Sequence, residues 1–464
     1  MVDLVIKNGR IVTSSHTTQA GIAVNGGKIV GIFHEDYVPV ADKIVDAKGK
    51  YILPGLIDSH VHIGSLGGSF AEEARTESRA AIAGGVTTWG SFLRPPPGKG
   101  FLEIFEEHKK LYEDNAICDV FFHNTCGTQK AIDDIPRCPE VGVNSFKFTV
   151  GYKGPHLELL RGMELNDGIL LTSWQTIAGL GRPVWAMVHA ENPDMIAAGR
   201  EIVEKRQGRT DFAAWRDHRP NYVEAHEIKS CIEISRITHC PLYIVHNTIG
   251  EAIDIIGEAK ARGQEVVGET CPMYLTHTSD EPIPQMFKDN PALGITNPPL
   301  RDWESINRLW KGLDNGIITT VGSDSVVLTK AQKGNNIWTA PMGFSNIVEM
   351  ILPVMLSEGV NKGRISLEKV VQVCSYNVAR VFGMYPQKGD IAVGSDADLV
   401  IVDLNKKVKV TLDKLHSSMD WNIYEGWEFT GWPVMTILRG KIVMENGEIM
   451  AEPGYGRYIP CKCE

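Results

Sequence analysis

Eight apolar runs of strand length, each followed by room for a helix, divide the middle of this chain and leave few folds open to it. They read "GLIDSHVH", "GVTTWGSFL", "ICDVFFHNT", "VNSFKFTV", "PVWAMVHAE", "PLYIVHNT", "EVVGETCP" and "ITTVGSDS". Between them stand helical stretches such as "FAEEARTESRAAIAGG" and "NYVEAHEIKSCIEISRITH". Parallel strands need a crossover before the next strand can lie alongside, so strict alternation predicts a parallel α/β sheet. Eight such units predict a TIM (β/α)8 barrel. A doubly wound open sheet is the other solution, but no Gly-rich phosphate loop supports it.

The two ends have a different texture. "DLVIKNGRIVTS", "AGIAVNGGKIVGIF" and "DKIVDAKGKYILPG" are short apolar runs broken by "NG", "NGG" and "KGK" turns. Similar runs return in "DADLVIVDLNKKVKVTL" and "TGWPVMTILRGKIVMENGEIM". We expect one β-sandwich built from both ends, residues 1–54 with 385–450, around a barrel of residues 55–384 and a tail of 451–464.

A net charge of −10, with no Lys or Arg cluster, argues against a nucleic-acid partner. No apolar run reaches the roughly 18–20 residues of a membrane span, and "MVDLVIKNGRIV" lacks the pattern of a secretion signal. Nine scattered cysteines, an odd number without regular spacing, predict free thiols in a reducing cytoplasm. The closing Cys461 and Cys463 read as a reduced, exposed tail rather than a soft-metal site.

A barrel of this kind carries its chemistry at the C-terminal ends of its strands. His60 and His62 flank one valine at the end of the first run, so a strand would turn both imidazoles to one face. Lys147 lies in the fourth run, His189 closes the fifth, His246 the sixth and Asp324 the eighth. Singly, each has an ordinary explanation as a rim or turn residue. Six in one layer would bury polarity without return unless they form a site. Four imidazoles and a carboxylate suit divalent zinc, manganese, cobalt or iron, and exceed what one tetrahedral ion needs. Two ions would need an anionic bridge. Lys147 could supply it as a carbamate formed with CO₂, or could be a buried lysine paired with a carboxylate; spacing does not choose between these.

"GLIDSHVH", "ESRAAIAGGVTT", "SFKFTVGYKG", "VHAEN", "ETCPMYLT", "NPPLRD" and "YPQKGDIAVGSDADLVIVD", together and in this order, resemble the hydantoinase/dihydropyrimidinase family of cyclic amidohydrolases. The likeness runs over nearly the whole chain. It implies a sandwich plus TIM barrel and two divalent ions per subunit, zinc foremost, bridged by Lys147 as N6-carboxylysine. His60, His62 and Asp324 would hold one ion, and His189 and His246 the other. A hydroxide shared by the ions would attack a ring amide, Asp324 would carry the proton, and Tyr152 would hydrogen-bond the oxyanion. The substrate would be a small hydantoin or dihydropyrimidine, and the product an N-carbamoyl amino acid. Relatives are commonly homotetramers, so a tetramer or dimer is expected, with the tail placed to reach a neighbour.

Three positions depart from the pattern. Asn297 stands where a serine usually precedes "PPLR", Met342 where an asparagine is usual, and Ser325 where a histidine usually follows the aspartate. None is a metal ligand, but Asn297 and Met342 fall at the substrate. An allantoinase-like activity on another ring is therefore the alternative. Dihydroorotase is disfavoured, because "IGSLGG" after His62 lacks the arginine that would hold a carboxylate. A non-catalytic assembly homologue would have lost several of the six residues that are all present here. Leu66, Phe70, Trp89, Phe92 and Leu93 are candidates to receive an apolar exocyclic group, if their loops reach the cavity.

Overall fold

The apolar runs of the middle become strands because both of their faces are covered. The computed structural model describes residues 1–153, 157 and 162–462. Eight strands pair side by side in chain order: β1 (Leu56–Val61), β2 (Val86–Leu93), β3 (Asp119–Thr125), β4 (Ser145–Thr149), β5 (Trp185–His189), β6 (Leu242–Ile244), β7 (Val266–Thr270) and β8 (Ile318–Val321). Every pairing in the series is parallel. Beyond β8 the chain lays Ser325–Val326 beside β1, with Ser325 opposite Val61 and the His62 N–H donating to the Ser325 carbonyl at 2.9 Å. This return brings the end of the series back to its beginning, and the expected barrel architecture is present. All residues of β1, β2, β3, β5, β6 and β7 are buried, as in a barrel packed inside and wrapped in helices outside.

Two strands stop two and three residues short of the candidate ligands in their runs. β6 stops at Ile244 and β8 at Val321, so His246 and Asp324 lie in turns just past their strands rather than at strand ends. Both have left-handed backbones, φ 39° and 50°. That conformation is strained for non-glycine residues by about 1–3 kcal/mol and persists only where the surroundings impose it. Here it ends the strand ladder at the barrel mouth.

The helix expected after β1 runs from Phe70 to Ala83, with the Ser69 hydroxyl accepting the Glu72 N–H. It ends at Gly84, where a Cβ would sit 2.7 Å from the Glu349 backbone. The helix expected from "NYVEAHEIKSCIEISRITH" spans Asn221–Thr238.

Both chain ends build a second sheet of nine strands. Val2–Val12, Thr17–Asn25, Lys28–Phe33, Ala41–Asp46 and Tyr51–Pro54 come from the beginning. Leu399–Lys409, Glu428–Leu438, Lys441–Glu445 and Glu448–Ile449 come from the end. The halves join where Tyr51–Pro54 runs antiparallel to Leu399–Val402, over a core that includes Ile6, Ile22, Ile52, Leu399 and Ile437. The "NGG" turn joins two strands as expected. The "NG" at Asn8 and Gly9 does not: it is a register shift inside one long strand, with Asn8 at φ 56°.

Charge fastens the two sheets together. Asp119, at the start of β3, accepts from Lys388 at 2.9 Å and pairs with Arg439, and Lys388 reaches Asp398 at 2.5 Å. The chain's last segment is not a free tail. Val120 and Tyr458 form a parallel bridge, Ile459 N–H donates to the Val120 carbonyl at 2.7 Å, and Cys461 is buried against this barrel. Cys461 therefore corrects the expectation of an exposed tail, because backbone pairing to the subunit's own β3 holds it in place; Cys463 lies outside the described residues. Cys118, Cys126, Cys138, Cys231, Cys240, Cys271 and Cys374 are free and buried. No helix among the described residues is long and apolar enough to cross a membrane.

Candidate functional site

The C-terminal mouth of the barrel opens into a cleft, and all six candidate ligands line it. His60, in β1, and His62, one residue past it, bring their Nε2 atoms 3.2 Å apart. Asp324 Oδ1 stands 3.1 Å from each of those nitrogens. Across the cleft, His189 Nδ1 and His246 Nε2 face each other at 3.0 Å. The His60 and His246 rings, 5.5 Å apart between centroids, link the two groups. Lys147 comes up from the middle of β4, 5 % exposed, with its Nζ 5.0 Å from the centre of the Phe92 ring.

Carboxylates behind the site fix which imidazole nitrogens face the cleft. Glu269 accepts His60 Nδ1 at 2.7 Å and is itself held by the hydroxyls of Ser59 and Tyr243, each at 2.6 Å. Glu191 takes His189 Nε2 at 2.8 Å and pairs with the buried Arg219 at 2.6 Å. A carboxylate on the rear nitrogen of an imidazole sets its tautomer and orients the other nitrogen toward a metal.

The electrostatics suit a cation. Burial lowers His62 to about 4, against the pull of Asp324, and burial also lowers His189 and His246. These three rings are thus neutral, with lone pairs free to ligate. Burial would lower His60 too, but Asp324 and Glu269 outweigh it and raise the ring to about 9. Asp324 is held well below the usual carboxylate range: burial opposes this, and His60 and His62 prevail. His246 Nδ1 is buried without a hydrogen-bond partner among the described residues. Two pairs of facing imidazole nitrogens, a carboxylate that stays ionised and an orphaned ring nitrogen together fit divalent metal binding. His60, His62 and Asp324 already place three ligand atoms within 4.8 Å of one another. Burial also lowers Lys147, to about 8, which leaves its amine partly neutral.

The candidate substrate residues meet in the same cleft. Tyr152, its hydroxyl's acidity suppressed by burial, packs its ring 5.0 Å from that of His189. Asn297 Nδ2 donates to the Tyr152 hydroxyl at 3.2 Å, and Asn297 Oδ1 is buried without a partner among the described residues. Met342 also lines the cleft.

Of the apolar candidates, Leu66 and Phe92 line the cleft. Trp89 and Leu93 are instead in the barrel's core cluster, and Phe70 packs on His108 at 4.8 Å, because their positions on the strand and helix face away from the mouth. Sequence reasoning missed Glu191 and Glu269 as supports, although "HAE" puts Glu191 two residues after the candidate ligand His189. It also missed Arg94, the residue after β2, which lines the cleft.

Comparison with known proteins adds a family to this geometry. A family model described as the amidohydrolase family matches residues 194–443. The L-hydantoinase of Paenarthrobacter aurescens is 34% identical across 99% of this chain and 98% of its own length. The dihydropyrimidinase of Rattus norvegicus is 32% identical across 98% of this chain and 88% of its own. A solved structure titled as the L-hydantoinase (dihydropyrimidinase) from Arthrobacter aurescens superposes with a TM-score of 0.90 at 32% identity, covering 99% of this chain and 100% of that one.

Proposed function

This chain belongs to the hydantoinase/dihydropyrimidinase family of amidohydrolases and is a hydrolase of cyclic amides; from that premise we propose that it opens a hydantoin- or dihydropyrimidine-type ring to an N-carbamoyl amino acid. The observation that carries the proposal is the meeting of two facing imidazole pairs, Asp324 and Lys147 in one cleft.

His60, His62 and Asp324 would hold one divalent ion, and His189 and His246 the other. Lys147 would serve both as a carbamate, formed when its neutral amine adds to CO₂ and releases a proton to solvent. When bound, such ions supply a water acidified from about 15.7 toward 7 and a Lewis acid for the ring carbonyl.

The chain's own groups do the rest. Asp324, 3.1 Å from the His60 and His62 nitrogens, is ionised and placed to accept the proton released as the carbonyl is attacked, and to return it to the departing ring nitrogen. Tyr152 keeps its proton because burial raises its pKa. Since Asn297 donates to the Tyr152 oxygen, that hydroxyl's own hydrogen is left to point at the developing oxyanion. The unpartnered Asn297 Oδ1 is an acceptor of the kind a ring N–H needs. Leu66, Phe92, Val326 and Met342 give the cleft an apolar wall for the exocyclic group. Zinc as the resident metal, a homotetramer or dimer, and a cytoplasmic setting complete the reading, the last supported by seven buried free cysteines.

The test is a ring-opening assay on protein grown with zinc or manganese and offered bicarbonate. The panel holds 5-aryl and 5-alkyl hydantoins, dihydrouracil, allantoin, dihydroorotate and a plain lactam. Opening of hydantoins or dihydrouracil, lost in Lys147→Ala, is the expected result, and intact-protein mass should show one added CO₂ on Lys147. Opening of allantoin alone would favour the other ring, and silence with no bound metal would overturn the catalytic reading.

A further inference from the structure

Lys333 is a second buried cation near the cleft, and the reaction as described makes no use of it. It closes the short helix Lys330–Lys333, whose start is fixed by a reciprocal cap between Thr329 and Gln332. Its side chain runs inward, 1 % exposed, and its Nζ donates to three backbone carbonyls: Ile295 at 2.7 Å, Pro341 at 2.7 Å and Gly343 at 3.0 Å. Those carbonyls belong to two different loops. Ile295 precedes Thr296 and Asn297, and Pro341 and Gly343 flank Met342; Thr296, Asn297, Met342 and Gly343 all line the cleft. The Ile295 carbonyl also accepts the Gly343 N–H at 3.1 Å, so the loops are tied directly as well as through the ammonium. Gly343 has φ 103°, and a Cβ there would meet Val326 at 2.9 Å, so this loop has little room to shift.

We propose that Lys333 is a positioning residue that clamps the two substrate-side loops together, and so sets how the ring is held between Asn297 and Met342. This rests on the reading that the cleft takes a cyclic amide. The chemistry favours an ammonium in this role. Three carbonyls need three hydrogens, and among lysine's two forms only the protonated one has three. Around Nζ stand the Phe344 and Trp421 rings, each 5.9 Å away. No carboxylate pairs with it among the described residues; Asp420, the nearby acid, accepts the Lys330 N–H at 2.9 Å. Burial pulls Lys333 down to about 7, so the clamp would lose its third hydrogen as pH rises through that value.

The experiment is hydrogen exchange on the full-length wild type and Lys333→Met, with steady-state kinetics on whichever ring the wild type opens. The expected result is faster exchange confined to residues 295–298 and 341–344, with KM raised about tenfold or more and kcat changed far less. If Lys333→Met does not fold, the wild type decides. Its exchange in those two segments, corrected for the intrinsic chemical rate, should rise as pH passes about 7 while neighbouring segments stay flat. Unchanged exchange in the two segments, or an increase spread over the whole barrel, would overturn the proposal. So would a loss confined to kcat. If the wild type opens no ring, the substrate reading fails, and the exchange result still decides on the clamp.

Discussion

Lys388 and Lys147 are both buried lysines in contact with the barrel, and they teach opposite lessons. Lys388, at the junction of barrel and terminal sheet, has carboxylates at 2.5, 2.9 and 3.4 Å, from Asp398, Asp119 and Asp396. Burial opposes its charge, but those three acids outweigh burial and raise its pKa. Lys147, in the cleft, has no ion-pair partner among the described residues; an aromatic ring stands 5.0 Å away and burial prevails. A buried charge that is fully matched belongs to the structure, because its partners repay its desolvation. A buried charge left short at a cavity with metal-type ligands is where chemistry is expected. The junction is built to be finished at folding, and the cleft to be finished by what enters it.

If that contrast holds, Lys147→Ala should produce the largest effect in the molecule. It should abolish ring opening and the binding of about two metals per chain, read by elemental analysis. After chelation, its urea midpoint should stay near that of chelated wild type, since no ion pair is broken. A large loss of stability in the metal-free variant would break the comparison.

Asp119→Ala is the converse. It removes an acid that serves Lys388 and Arg439 and also accepts the Arg457 N–H at 3.0 Å. Taking one partner from a buried pair typically costs about 3–5 kcal/mol. We expect a loss of that size by urea unfolding, with kcat and KM of the folded fraction unchanged. Impaired turnover at full stability would show that the junction communicates with the cleft.

How much of this was legible beforehand follows the same division. Strands buried on both faces announce themselves as continuous apolar runs, so the barrel and the run carrying each candidate ligand could be read directly. The six candidates could be named because each falls in or at the end of such a run, and the structure brings all six to one cleft. What the sequence hid depends on non-local geometry. His246 and Asp324 look like strand residues, yet the chain leaves the ladder before each in a left-handed turn. The "NG" at Asn8 has the composition of a hairpin turn. It became a bulge because Gly9 packs against Ile52, where a Cβ would come within 2.4 Å of Ile52 Cδ1. Cys461 looked exposed because nothing local shows that the segment before it pairs with Val120. Glu269 lies 209 residues from the histidine it supports, and no local pattern joins them.

Tyr152→Phe sharpens the site half of the comparison. Loss of one donor to a developing oxyanion commonly costs about 10²–10³ in kcat. The same loss is expected here, with metal content intact, because the hydroxyl touches Asn297 and no candidate ligand nitrogen or oxygen at hydrogen-bond distance. A variant with wild-type kcat would remove Tyr152 from the reaction.

The smallest effect we predict tests whether structural and catalytic charge can be separated at all. Glu269 and Glu191 each brace a candidate ligand histidine, but their other partners differ. Glu269 is held by neutral hydroxyls and the His246 N–H at 3.1 Å, whereas Glu191 answers the full charge of Arg219. Glu269→Gln preserves shape and an acceptor and leaves Asp324 to face the charged His60, so it should weaken metal binding by about 10–100-fold and cost less in unfolding than the change at Glu191. Glu191→Gln should weaken metal binding similarly and also destabilise the metal-free fold, because Arg219 is left buried without a matching charge. Chelator titration against a metal indicator gives the first quantity and urea unfolding of the metal-free proteins gives the second. Equal unfolding midpoints for the two variants would mean that Arg219 finds another partner, and that Glu191 serves the cleft alone.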